Sequence, residues 1–201
     1  MASAEIIAEP LLSLLLGYLL GSIPFGVLLT RMGGAGDLRS IGSGNIGATN
    51  VLRTGRKGLA ALTLILDMLK GTAAVLIVRA LWPGSEEIAA IGALLGHLWP
   101  AWLRFRGGKG VATLFGIMVG LHWPSALVYA AVWIGGLALT RYSSVAGMTA
   151  ALAAPVGAAA LGRFDMALLY LGFALLIFWK HRANLDRLLA GDEPRVGRAN
   201  A

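Results

Sequence analysis

Apolar residues occupy this chain in long runs that short polar stretches interrupt. The runs fall near residues 10–30, 58–82, 88–103, 110–122, 124–140, 144–161 and 165–180. A helix crosses the bilayer hydrocarbon in about 20 residues, so the pattern predicts an all-α integral membrane protein with seven transmembrane helices. Some runs are shorter than that, which predicts a thin or tilted bundle and loops that dip into the membrane plane. Joining 110–140 and 144–180 would leave five spans, but helices of about 31 and 37 residues overrun a bilayer. Joining them would also bury Arg163 and Asp165 inside a helix. Trp123-Pro124 and Leu161-Gly162-Arg163 read as turns instead. The run 10–30 reads as a retained first helix, because the residues before it carry Glu5 and Glu9 and no cation, unlike a secretory signal.

Composition agrees. Of 201 residues 57% are hydrophobic and 13% charged, with a mean hydropathy of +0.75, against about 25% charged in soluble domains. A single membrane-embedded domain over 1–201 is the natural size. Cysteine is absent, which removes thiolate metal sites, and His97, His122 and His181 are too scattered for ligand spacing. Neither a metal nor a cofactor is expected. Membrane lipids are the expected surroundings, and nucleic acid is not an expected partner.

Charge orients the spans. With the N-terminus outside and the C-terminus cytoplasmic, the inner side holds Arg31, Arg39, Arg53, Arg56, Lys57, Arg104, Arg106, Lys109, Arg141, Lys180, Arg182, Arg187, Arg195 and Arg198. The outer side holds only Arg79 and Arg163, and Lys70 lies within the membrane. Cytoplasmic loops carry this excess of cations.

Three inner-face segments carry candidate chemistry. Residues 42–57 hold four glycines, the polar side chains of Ser43, Asn45, Thr49, Asn50 and Thr54, and the cations Arg53, Arg56 and Lys57, without an acid. Glycines admit a ligand close to backbone N–H groups, and clustered donors with cations suit a phosphate or carboxylate. A solvated basic loop would also satisfy the pattern. The second segment, Gly107-Gly108-Lys109-Gly110, opens a helix, whose N-terminus attracts anions. It is not a Walker A loop, since the spacing and an upstream strand are missing. In the third, His181 and Asn184 lie one turn apart if the segment is helical. A basic amphipathic helix on the inner leaflet explains that segment equally. Asp67 and Lys70, deep in the second span and three residues apart, suit a mutual ion pair. His97 ends a span at Gly-His-Leu-Trp-Pro.

Together these segments resemble the bacterial integral-membrane glycerol-3-phosphate acyltransferases that use acyl phosphate as donor. Ser43-Gly44-Asn45-Ile46-Gly47-Ala48-Thr49-Asn50 with Arg53 is similar to that family's first motif, Gly107 to Thr113 to its second, and His181-Arg182-x-Asn184 with Gly191-x-Glu193 to its third. The resemblance implies an enzyme of the inner membrane with its active site open to the cytoplasm. It implies transfer of a fatty acyl group from acyl phosphate to the 1-hydroxyl of glycerol 3-phosphate, giving lysophosphatidic acid for phospholipid biosynthesis. By motif position Ser43, Arg53 and Lys109 would bind phosphate, beside the glycines 107, 108 and 110. His181 and Asn184, with Ser43, would handle the reacting groups. Asn45, Thr49, Asn50, His97, Asp67, Lys70 and Glu193 are the candidates for supporting them. No serine–histidine–acid set falls on adjacent segments, which favours direct transfer over an acyl-enzyme. An anion transporter with re-entrant glycine-rich loops is the alternative, and it would need cations on both sides of a path.

Overall fold

The computed structural model describes residues 2–197; Arg198, counted above with the inner cations, lies outside them. Among the described residues every regular element is helical: α1 (Ala2–Gly21), α2 (Phe25–Met32), α3 (Ala48–Leu52), α4 (Lys57–Leu81), α5 (Glu86–Leu98), α6 (Val111–Thr140), α7 (Ser143–Ala160), α8 (Phe164–Lys180) and α9 (Arg182–Ala190), with single 3₁₀ turns at Leu38–Ser40 and Ala101–Leu103. Ile7–Met32, α4, α6 and α7 are each long and apolar enough to cross a membrane. The bent pair α8 and α9 makes a fifth such element when taken as one. The protein is a multi-pass helical membrane protein.

Each apolar run contains helix, but α5 ends at Leu98, short of 103, and prolines interrupt two other runs. The run 10–30 is two helices rather than one, because proline has no N–H and disfavours helical geometry in the residue before it. The chain leaves the helix over Ser22-Ile23-Pro24, and side chains from elsewhere take the carbonyls exposed there. Trp102 Nε1 donates to Ser22 at 2.7 Å and Lys70 Nζ to Ile23 at 2.9 Å. The long α6 is likewise interrupted, at His122 (φ −154°, ψ 88°) rather than at Trp123-Pro124. Pro124 cannot donate to Gly120 one turn back, and Arg79 donates to that carbonyl instead at 2.8 Å. The turn at Leu161-Gly162 separates α7 from α8 as expected, with Arg163 paired to Asp165 at 2.7 Å.

The chain forms two compact units, Met1–Leu121 and His122–Ala201. In the first, helices approach until their backbones touch. Gly17 and Gly21 of α1 face Gly92 and Gly96 of α5, two Gly-x-x-x-Gly pairs pressed together. A Cβ at Gly17 or Gly21 would overlap the carbonyl of Ala89 or Ala93; one at Gly92 or Gly96 would overlap that of Leu14 or Tyr18. The α4–α6 contact repeats the device, with Gly71 against the Thr113 carbonyl and Gly116 against that of Met68. Apolar lipid gives helices no hydrophobic reason to associate, so close van der Waals contact through small residues has to hold them. In the second unit alanines do this work: Ala146, Ala150, Ala154 and Ala158 are buried along α7, and Tyr170, Phe173 and Ile177 are buried on α8, which packs against it.

Substituting leucine for Gly92 should therefore force α1 from α5. Overpacking costs about 1–3 kcal/mol where side chains can yield, and a carbonyl yields less. Thermal unfolding in detergent should show a clear loss for Gly92→Leu. Gly172→Ala, with open space around the glycine, should be neutral or slightly stabilising, because alanine is the better helix former. Equal behaviour of the two variants would refute close backbone packing.

Candidate active site

The first glycine-rich loop is built around one amide. Asn50, 2% exposed, donates from Nδ2 to the carbonyls of Leu38 (3.1 Å), Ile41 (2.9 Å) and Asn45 (2.9 Å), and its Oδ1 accepts from the Ser43 N–H at 3.2 Å. Between these anchors Gly42 (φ +56°) and Gly44 (φ +68°) take the left-handed backbone that the turn demands. The Arg53 side chain lies directly against Gly42, where a Cβ would sit 3.0 Å from Arg53 Cδ. Ser43 and Arg53 are thus held on one exposed turn, with Asn45 and Thr49 half-buried beside it. Leu38, Val51 and Ala60 form the small core beneath. Asn50, expected only as a support, is the hub of the loop. Arg39 is committed to Asp37 at 2.7 Å, and the Arg39 guanidinium holds that carboxyl well below the usual carboxylate range.

The second loop rests on a histidine. The chain first turns through Arg104 and Phe105, both left-handed (φ +53° and +60°), at a cost of about 1–2 kcal/mol each. Gly108 N–H then donates to the His97 carbonyl at 3.0 Å. A Cβ at Gly107 would overlap that same carbonyl, and one at Gly108 would overlap His97 Nε2. His97 is 4% exposed, and its Nδ1 stands 3.8 Å from Asp67 Oδ1. Asp67 pairs with Lys70 at 2.7 Å, as expected from their spacing. Two of the glycines expected to admit a ligand are therefore also needed to admit His97. Lys109 and the buried Gly110 follow, and α6 starts at Val111.

The third segment is a corner in the second unit. Helices α8 and α9 meet at 56° with His181 between them, and His181 Nδ1 lies 2.8 Å from the Ile177 carbonyl. A carbonyl only accepts, so Nδ1 carries the proton and Nε2 is the acceptor nitrogen of the neutral ring. Asn184 does fall on the same helix face, and its Nδ2 donates to Glu193 Oε1 at 2.6 Å. Gly191 (φ +80°) ends α9 in the left-handed conformation and turns the chain so that Glu193 reaches back. Ser144 Oγ donates to the same Oε1 at 2.6 Å, and Arg187 Nε donates to Oε2 at 2.8 Å. Ser144 was not foreseen, since a contact 49 residues apart leaves no local signal. Arg182 stacks on Trp179 at 4.5 Å. The resemblance implies that the His-x4-Asp motif of thioester-using acyltransferases is absent, yet His181 and Asp186 stand at that spacing. The spacing does not make that pair here: Asp186 is exposed, His181 is buried, and Nδ1 is bonded to a carbonyl rather than a carboxylate.

The family model for glycerol-3-phosphate acyltransferase matches residues 11–191. A glycerol-3-phosphate acyltransferase of Mesorhizobium japonicum is 57% identical over 187 residues, covering 93% of this chain and 96% of that one. One of Rhodopseudomonas palustris is also 57% identical, over 92% and 95% of the two chains. Among solved structures, PlsY, an integral membrane glycerol 3-phosphate acyltransferase, is similar in its glycerol 3-phosphate form, with TM-score 0.88 and 36% identity over 94% of this chain and 96% of that one. Its lysophosphatidic acid form gives TM-score 0.84 and 34% identity, over 94% and 95%.

Burial by itself raises the Glu193 carboxyl, but the hydrogen bonds from Ser144, Asn184 and Arg187 outweigh it and hold the group below its ordinary value of 4.5. A depressed carboxylate stabilises the fold above its unfolded-state value and loses that contribution as pH falls through the folded one. Glu193→Gln should therefore lower stability near neutral pH by about 1.5–3 kcal/mol, the worth of charged hydrogen bonds. The gap to the parent protein should narrow steadily as pH falls below 4.5. Thermal unfolding across pH checks this, and a gap independent of pH would refute it.

Proposed function

The chain belongs to the glycerol-3-phosphate acyltransferase family, and from that membership we propose that it transfers a fatty acyl group from acyl phosphate to the 1-hydroxyl of glycerol 3-phosphate, giving lysophosphatidic acid and inorganic phosphate. Residues 1–201 act as one membrane-embedded enzyme of the bacterial inner membrane, with seven spans and the site on the cytoplasmic side. The acceptor oxygen attacks the acyl carbonyl, the bond from that carbon to the phosphate oxygen breaks, and the hydroxyl proton ends on the departing phosphate. Both substrates are anionic and repel each other, so Arg53, Lys109 and Ser43 bring their phosphates together by charge and hydrogen bonding. Positioning and charge neutralisation then supply the rate.

One observation carries the assignment of the third motif. His181 Nδ1 is bonded to the Ile177 carbonyl and Asn184 Nδ2 to Glu193, so the protein holds both side chains in a set orientation at one corner. That supports orientation of the acceptor. His181 Nδ1 meets a carbonyl where a histidine base usually has a carboxylate, which favours a donor that is already activated. The transporter alternative is weakened by the same kind of bookkeeping of partners. The two cations assigned to the outer side are committed locally, Arg79 to the Gly120 carbonyl and Glu86, and Arg163 to Asp165.

Purified protein given acyl phosphate and labelled glycerol 3-phosphate should make lysophosphatidic acid. Acyl-CoA or acyl carrier protein thioester offered instead should give none, and turnover with acyl-CoA at a comparable rate would overturn the donor assignment. His181→Gln keeps an acceptor oxygen, so kcat should stay within about tenfold with little change in pH profile, whereas loss of a general base costs 10²–10⁴-fold. An enzyme dead at every pH with substrate binding intact would show that His181 moves the proton.

A further inference from the structure

Beneath the Gly107–Gly110 loop, buried polar contacts run from the break in the first helix to the loop itself. Lys70 Nζ donates to the Ile23 carbonyl at 2.9 Å and pairs with Asp67 at 2.7 Å. Asp67 Oδ1 lies 3.8 Å from His97 Nδ1. The opposite edge of the imidazole, Nε2, faces Gly108 where a Cβ would overlap it, and the His97 carbonyl accepts the Gly108 N–H at 3.0 Å. Lys70, Asp67 and His97 are each 4% exposed or less.

Filling space under a loop needs only an apolar side chain. Placing a carboxylate, an ammonium and an imidazole there is costly, and such groups inside a membrane protein persist where they pair and where function uses them. The ion pair accounts for Asp67 and Lys70. It does not account for a histidine set with one nitrogen toward the carboxylate and the other toward the glycine that precedes Lys109.

We propose that His97 is a positioning residue: held between Asp67 and Gly108, its ring fixes the height and orientation of the Gly107-Gly108 turn, and so the place of the Lys109 ammonium. Gly107 and Gly108 are then glycines because the loop must sit on that ring, as well as because a ligand must approach the loop. Lys109 is on the same rigid turn, so displacing the ring displaces the cation. Asp67 and Lys70 act one contact further back. Lys70 ties the assembly to Ile23 and leaves Asp67 paired whether or not His97 is present.

The proposal rests on Lys109 being a phosphate ligand, and a double-mutant cycle tests the two ideas separately. Equilibrium binding of glycerol 3-phosphate is measured on detergent-solubilised full-length protein for the parent, His97→Gln, Lys109→Ala and the double variant. Lys109→Ala should weaken binding about ten- to a hundredfold, the worth of a hydrogen bond to a charged group. His97→Gln should weaken it about tenfold when Lys109 is present, and less than twofold in the Lys109→Ala background, because two residues acting through one contact are not additive. A merely structural His97 would lower thermal stability and leave affinity unchanged, or weaken binding by the same factor in both backgrounds, and either result overturns the proposal. No effect of Lys109→Ala would remove the phosphate role of Lys109, and this proposal with it. A Lys109 effect without a His97 effect removes only this proposal. Should His97→Gln not accumulate in membranes, His97→Asn, which can still place a polar atom toward Asp67 but not the Nε2 edge, carries the same comparison.

Discussion

Contact between helix backbones, permitted by glycine, is the constraint on which the first unit depends. Gly17 and Gly21 on α1 and Gly92 and Gly96 on α5 let those backbones touch, and Gly71 against Thr113 with Gly116 against Met68 does the same for α4 and α6. Helices this close carry side chains across short gaps. That is why Tyr18 of α1 can bridge the end of α5, with its hydroxyl donating to the Trp99 carbonyl at 2.9 Å and accepting from the Ala101 N–H at 3.0 Å. It is also why Lys70 of α4 can reach the Ile23 carbonyl. Wider spacing would leave these donors and carbonyls unsatisfied where water is scarce, at several kcal/mol each.

The breaks in the helices follow the same economy of polar groups. Where the helices break, side chains from other elements take exposed carbonyls: Trp102 at Ser22, Lys70 at Ile23, and Arg79 at Gly120, the carbonyl that Pro124 cannot serve. A break satisfied in this way is a rigid joint and not a weak point. Lys70, at one of these joints, pairs with Asp67, which lies beside His97. His181 occupies a comparable corner between α8 and α9, with its own Nδ1 bonded to the Ile177 carbonyl.

Each candidate motif combines residues proposed to meet a ligand with residues that hold them. In the first, Asn50 ties three carbonyls and the Ser43 N–H into one turn that carries Ser43 and Arg53. In the second, His97 underlies the glycines that precede Lys109. In the third, Gly191 turns the chain so that Glu193 orients Asn184. Locked side chains lose little entropy when a substrate arrives, so binding free energy remains for the transition state.

The sequence by itself determined what depends on neighbours along the chain. Apolar run length set the helices, the charge pattern marked a basic face, glycines with cations marked the first two motifs, and His181 with Asn184 marked the third, because hydropathy and anion chemistry are local properties. The i, i+3 spacing of Asp67 with Lys70 and of His181 with Asn184 was legible for the same reason. The tertiary structure decided which distant groups meet. The run 10–30 had to be seen to break at Pro24 before Ile23 could be matched with Lys70, 47 residues away. Ser144 meets Glu193 across 49 residues, and His97 meets Gly108 only because a turn with two left-handed residues folds the loop back over the end of α5. The His-x4-Asp spacing at residues 181 and 186 shows the other side of this. A spacing proposes a pair, but five residues along a helix is a turn and 140° of rotation, so Asp186 points away from the histidine it would have to serve.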